Sequence, residues 1–154
     1  MAIERVRQYF APFGLTKRIQ EFPTSSATVA LAAKALNCEE ERIAKTLAFQ
    51  VNQAVILIVT AGNQRIDNKK FKTHFQKRAR MVPFDQVEEV VGHAAGGVCP
   101  FGVHAGVKTY LDQSLSSFET VFPACGSANS AIELSIEELV TYSKSLGWVD
   151  VCKP

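Results

Sequence analysis

Apolar and polar residues change their spacing several times along this chain, and each change marks an element. Ile3, Val6, Phe10 and Phe13 recur at helical spacing, and Gly14 is placed to end that helix. Residues 17–22 read as a short strand. Thr24-Ser25-Ser26 offers N-cap hydroxyls to a helix over 27–37, with Val29, Ala30, Ala33 and Leu36 on one face. Glu39–Ala44 reads as one further helical turn. Residues 46–51 and 54–61 flank Asn52-Gln53 and predict a hairpin, and the continuously apolar second arm predicts a strand buried on both faces. Asp67 can cap a basic helix over 68–75, and residues 78–82 fit a strand. Asp85 and Glu88 form a capping-box pattern for a helix that Gly92 ends. Strands are predicted near 107–111, 119–123 and 130–134. Ser135 with Glu138 then opens a helix through Leu139, Val140, Tyr142 and Leu146, stopped at Gly147. This order predicts an α+β fold with one central mixed sheet, mostly antiparallel and flanked by helices. Periodicity leaves open whether the sheet curls into a barrel.

Composition narrows the class. A chain of 154 residues with 47% hydrophobic content reads as one domain over 1–154, with enough material for a sizeable core. The longest apolar run, residues 54–61, is far too short to span a bilayer, and the N-terminal residues lack the apolar core of a signal peptide. A cytoplasmic protein with no membrane partner is expected. The cysteines at 38, 99, 125 and 152 show no C-x-x-C spacing, and the three histidines complete no zinc pattern. Free thiols and no metal are expected, with Cys99 and Cys125 beside glycine-rich turns where they could line one site. Net charge is only +2, but it is unevenly spread. Residues 65–80 hold seven cations against Asp67, whereas 131–150 hold four acids against Lys144. That asymmetry suits a polyanion such as nucleic acid, and a solvated helix face would produce it equally well.

The candidate chemistry begins with residues 92–102, which contain four of the nine glycines and Pro100. Such a run excludes a helix interior or a central strand. It is a shaped loop whose backbone N–H groups could face a ligand, or else a plain turn. Three other pieces accompany it: Lys45-Thr46-Leu47 at a strand start, the segment from Gly62 to Lys70, and the run from Cys125 to Leu134. Lys45 alone reads as a surface lysine. Together, a lysine before an apolar strand and a G-x-x-x-P loop from Gly96 to Pro100 resemble the YbaK/prolyl-tRNA-synthetase-associated editing domain family, from about Ser25 to Leu134.

The resemblance implies a barrel-like mixed sheet and a free-standing, trans-acting deacylase that hydrolyses the ester of mischarged tRNA without a cofactor. Mischarged tRNA is the implied partner, an aminoacyl-tRNA synthetase a possible second one, and the protein itself a monomer. It assigns the reaction to Lys45 and to the loop Gly96, Gly97, Val98, Cys99 and Pro100. There the N–H groups of Gly97, Val98 and Cys99 would hold the oxyanion, and Lys45 would position phosphate, ribose or carbonyl as a point charge. Ser25, Ser26 and Thr28 read first as caps of the following helix, whose N-terminus could also face phosphate; they, His93, Gly126 and Ser127 are the candidate substrate contacts. His93 would stand at the threshold of the loop, and the small Cys99 side chain would line the amino-acid pocket. The tRNA acceptor stem would dock on Lys69, Lys70 and Lys72. Some members carry serine at the position of Cys99, and relatives carry basic residues and an aspartate where Ser127, Ala128 and Ala131 stand. Members that remove cysteine from proline tRNA therefore do not fix specificity here, and alanine, serine, threonine and cysteine remain open. Two competing readings are a non-catalytic tRNA- or synthetase-binding module, and a cysteine-dependent hydrolase or redox protein built on Cys99 and Cys125.

Overall fold

The computed structural model describes residues 2–154. Helix α1 (Ala2–Phe10) buries the predicted face of Ile3, Val6 and Phe10. Pro12 cannot extend the α-helical ladder, so a 3-10 turn over Ala11–Phe13 follows, closed by Gly14 in the left-handed region. A second 3-10 turn takes Thr16–Arg18, which shortens the predicted strand to β1 (Ile19–Glu21). Helix α2 (Val29–Leu36) is capped by Thr28, whose Oγ1 accepts from the Leu31 N–H, rather than by residues 24–26. Ser26 is already committed, its N–H donating to Ala128 O at 2.6 Å.

The turn expected over 39–44 contracts to Glu40–Arg42, and β2 (Ile43–Val51) begins at once. It pairs with β3 (Ala54–Ala61) from Ala44↔Ala61 to Val51↔Ala54 around the predicted two-residue turn, where Asn52 takes the left-handed conformation that asparagine tolerates. β3 is buried on both faces as its apolar run demands: Ile56 and Ile58 pack on one side, Leu57, Val59 and Ala61 on the other. Then come β4 (Arg65–Ile66), α3 (Asn68–Phe75), α4 (Val87–Val91), β5 (Lys108–Asp112), β6 (Thr120–Pro123), β7 (Ser130–Ile132), β8 (Leu134–Ser135), α5 (Ile136–Tyr142), β9 (Trp148–Val149) and β10 (Cys152–Lys153). Asp67 caps α3 and the Ser135–Glu138 capping box opens α5, both as predicted. The Asp85 box does not form: α4 starts at Val87 after Gln86, although Gly92 ends it as expected. α5 stops at Tyr142, short of the predicted Gly147.

The main sheet runs β8-β6-β2-β3-β5-β9, with β1 paired to β7 and β4 to β10 in two small sheets. Antiparallel ladders hold the majority, four of seven. The parallel ones (β2–β6, β3–β5, β5–β9) all lie in the main sheet, where crossovers through helices return the chain in the same direction. Helices α1 and α5 and the Phe101 loop cover one face, with Phe10, Phe101, Leu111, Leu115 and Leu139 at its centre. α3 and the C-terminal strand cover the other through Phe49, Phe71 and Cys152. Among the described residues no helix is long and apolar enough to cross a membrane.

One consequence of this topology positions the site. β2 has β3 along one whole edge. Its other edge meets β6 only at Ile43–Ala44 and meets the 80–82 segment at a single bridge, Phe49↔Met81, where a full strand was expected. Lys45–Leu47 between them have no strand partner on that side.

Candidate active site

The gap in the β2 edge opens into a cleft of about 670 Å³. Its walls are the β2 edge from Ile43 to Ala48, the Met81–Phe84 segment, the Ala95–Val98 loop, the lead into α2 from Ser26 to Val29, and Ser130–Ala131 of β7. Most of these side chains are apolar. Among the described residues Lys45 is the only ionisable side chain in the lining, with no carboxylate, imidazole or thiol beside it.

Thr46 presents unpartnered polar groups to this cleft. Ala48 O accepts from Val82 N and Gln50 N donates to Arg80 O, so even-numbered residues of β2 turn their backbone groups away from β3. By strand alternation Thr46 turns its N–H and C=O to the unpaired stretch of that edge. Its Oγ1 is buried without a hydrogen-bond partner. A buried polar atom left unpaired costs free energy, and a bound ligand is one way to satisfy it.

Lys45 lines the cleft, and its Nζ donates to Gly62 O (3.4 Å) and Gln64 O in the loop after β3. Burial lowers its pKa, with a smaller opposing pull from Cys152. It is a half-buried cation fixed by carbonyls and not the free surface lysine that its sequence alone suggests. Gly62 must be glycine for this loop to sit so close, since a Cβ there would stand 2.2 Å from Glu40 O.

Of the G-x-x-x-P loop, Gly96 and Val98 reach the cleft; Gly97, Cys99 and Pro100 lie behind them. The Gly97 N–H closes the turn on Ala94 O at 3.0 Å and is therefore not available to an oxyanion, against expectation. The Val98 N–H meets no acceptor among the described residues. The two glycine-rich turns are packed on one another. A Cβ on Gly97 would lie 2.7 Å from the backbone of Gly126 and Ser127, and Gly96, at φ +91°, sits against Ala27 and Ala128. Gly126 and Ser127 are thus supports of the loop and not cleft walls. Ser127 donates to Ser130 Oγ at 2.7 Å, which ties the turn to β7.

Cys99 and His93 require correction as well. Cys99 is fully buried in the main core, where its thiol is pushed up to about 12 by burial. His93 is also fully buried, its Nε2 2.6 Å from Phe101 O and 3.5 Å from Cys99 Sγ. Burial lowers the His93 pKa too, so the pair stays neutral and forms no thiolate–imidazolium couple. Neither Cys99 nor His93 is part of the cleft lining; both are sealed in the core behind the loop, against expectation. Cys125 sits in the same core with its thiol raised well above the ordinary value by burial, so neither of the two cysteines stands in the cleft.

Ser26 and Thr28 line the cleft, whereas Ser25 is exposed and bonds to Ala27 N and Ala128 O. Lys69, Lys70 and Lys72 lie on α3, outside the lining. Lys70 is engaged by Asp150 (3.1 Å) and Cys152 O (3.0 Å). Thr46, Met81 and Phe84 were missed as site residues. Thr46 follows the motif lysine directly, which was its one signal in the sequence; Met81 and Phe84 had none beyond their apolarity.

The chain matches the model of the aminoacyl-tRNA editing domain over residues 24–142. It is 49% identical over 154 residues to the uncharacterised protein YwhH of Bacillus subtilis (strain 168), covering 99% of this chain and 98% of that one. It is 22% identical over 95 residues to a proline–tRNA ligase of Bacillus cereus (strain AH187), which is 61% of this chain but only 16% of the ligase. The fold superposes with a TM-score of 0.89 on the crystal structure of a candidate trans-editing enzyme for prolyl tRNA synthetase, at 26% identity, covering 99% of this chain and 98% of the other. The matched span holds the open β2 edge, the glycine loop and every wall of the cleft: this chain belongs to the aminoacyl-tRNA editing domain family.

Proposed function

We propose that the protein is a trans-acting deacylase that hydrolyses the ester of a tRNA carrying a small wrong amino acid. The observation that carries this reading is the cleft itself. An unpaired strand edge at Thr46, a desolvated lysine and a free loop N–H converge there in a chain of the editing family.

The lining supports one form of the chemistry. Water attacks the ester carbonyl, a carbon–oxygen bond forms, and the developing oxyanion is met by the Val98 N–H and by the charge of Lys45. The tetrahedral intermediate then expels the ribose oxygen, which takes up a proton, and the amino acid leaves as its carboxylate. The lining described has no carboxylate, imidazole or thiol to take the water's proton, and Lys45 is engaged by two carbonyls. This supports assigning the proton to the substrate, either to its free α-amine or through a ribose hydroxyl that passes its own proton on to the leaving oxygen. Thr46 orients the aminoacyl group by its edge N–H, C=O and Oγ1, and the apolar walls set size. A pocket selecting on size alone gains about 1–3 kcal/mol per methylene, so tRNA contacts must add to the discrimination.

The test is ester loss from proline tRNA charged with alanine, serine, threonine or cysteine, and from alanine and threonine tRNAs mischarged with serine. Hydrolysis of one mischarged pair with cognate pairs spared is the expected result. No turnover on any pair by folded protein would instead favour a tRNA- or synthetase-binding module.

A further inference from the structure

Phe84 is the most exposed large hydrophobic side chain among the described residues, at 82%, and Met81 beside it is 58% exposed. Scattered apolar residues on a surface mean little, but these two are walls of the same apolar cleft and continue it outward. Their segment is firmly held. Val82 N donates to Ala48 O and Arg80 O accepts from Gln50 N, while Gln86 N donates to Pro83 O. Buried Val82 and Val87 anchor it on either side of Phe84, and Pro83 restricts the backbone between them. The ring is thus offered on a rigid support, with little ordering left to lose on binding. Immediately before it, Lys77, Arg78 and Arg80 are exposed and pair with no carboxylate among the described residues. The acids of this stretch, Asp85, Glu88 and Glu89, all follow Phe84 in the chain. The cleft is also far larger than a small aminoacyl group fills, and in the range that holds drug-sized ligands.

We infer that Phe84, backed by Met81, is a stacking platform for the terminal nucleobase of a single-stranded RNA 3′ end, with the preceding phosphates on Lys77, Arg78 and Arg80. The inference rests on the proposed editing reaction for its ligand class and adds to it where the nucleotide lies. Aromatic stacking tolerates any base and commonly changes affinity by one to two orders of magnitude per base, and the exposed, unpaired cations that precede Phe84 in the chain would supply the rest.

The experiment measures binding of a 5′-labelled short RNA ending in CCA, and of the same RNA lacking the terminal adenosine, by fluorescence anisotropy at low salt. Wild type, Phe84→Ala and Phe84→Tyr are compared. Expected is a roughly tenfold loss for Phe84→Ala on the CCA strand. Removing the adenosine weakens wild type by a similar factor but leaves Phe84→Ala unchanged, and Phe84→Tyr restores wild-type behaviour. With charged tRNA, Phe84→Ala raises KM and spares kcat. Equal affinities of wild type and Phe84→Ala, absent binding by wild type, or an adenosine effect that persists in Phe84→Ala would each overturn the platform. Deacylation with a Phe84-independent KM and affinity overturns the platform and leaves the reaction standing. A Phe84-dependent affinity without any deacylation does the reverse. Because the ring is so exposed, circular dichroism of Phe84→Ala should match wild type.

Discussion

At the scale of single residues, the site is defined by polar groups that the fold leaves without partners. Thr46 carries an unpaired Oγ1, so Thr46→Val removes a buried cost as well as a ligand contact. Its melting temperature is expected at or above wild type, while kcat/KM for deacylation falls about two- to tenfold, one hydrogen bond's worth. A fall in both would mean the hydroxyl is structural. Lys45→Ala is expected to lower deacylation about 10²-fold, the usual consequence of removing one charge-stabilising donor. A normal rate in that variant would sink its assignment. By itself the sequence around Lys45 reads as a surface lysine, and only the family resemblance singles it out; its half-buried place beside the Gly62 and Gln64 carbonyls comes from the fold. The fate of Cys99 and His93 was not legible in the sequence. Six residues apart, they looked like loop residues, yet the loop folds back so that both enter the core. Only the packing around them decides whether a thiol meets water or a phenylalanine carbonyl.

At the scale of elements, the glycine loop and the α5 cap show what local chemistry does and does not announce. The loop pattern offers Gly97 as an oxyanion donor, but its lack of a side chain serves the approach of the Gly126–Ser127 backbone. Gly97→Ala is expected to destabilise by about 2–3 kcal/mol through overpacking and to lose deacylation with it, as chemical denaturation and activity of the same preparation would show. The capping box of α5 was readable outright from Ser135 and Glu138. The structure adds Arg18, 120 positions away, bonded to both Glu138 oxygens. The Arg18 guanidinium, aided by the Ser135 N–H, holds the Glu138 carboxyl at about 2. A folded pKa below the unfolded one contributes stability that is present above the unfolded value, roughly 4.3, and is lost as pH falls towards 2. The melting-temperature gap between wild type and Glu138→Gln should therefore narrow steadily across that window. A gap independent of pH would contradict the ion pair.

At the scale of the whole molecule, the uneven charge is a steering device only where the cations are free. Lys70 is engaged by Asp150 and the C-terminal strand, whereas Lys69 and Lys72 are exposed on α3, where the proposed tRNA reading would place phosphate. The double variant Lys69→Ala/Lys72→Ala should weaken tRNA binding and flatten its logarithmic salt dependence by roughly 0.7–0.9 for each phosphate no longer neutralised. Lys70→Ala should act on the anchoring of β10 more than on the slope, and unchanged tRNA binding by the double variant at low salt would exclude α3 as a docking face. Hydrophobic period, caps and turn residues by themselves determined the helices α1, α3 and α5, the β2–β3 hairpin with its doubly buried strand, and the presence of a shaped glycine loop. Each of these is set by residues within a few positions of one another, whose spacing already states which face meets water. Tertiary structure alone decided the parallel neighbours of β2, β3 and β5, the gap that frees the Thr46 edge, the carbonyls around Lys45, and the burial of Cys99 and His93. Those depend on which distant segments come into contact, and a strand's unpaired edge exists only once its neighbours have taken their places and stopped short.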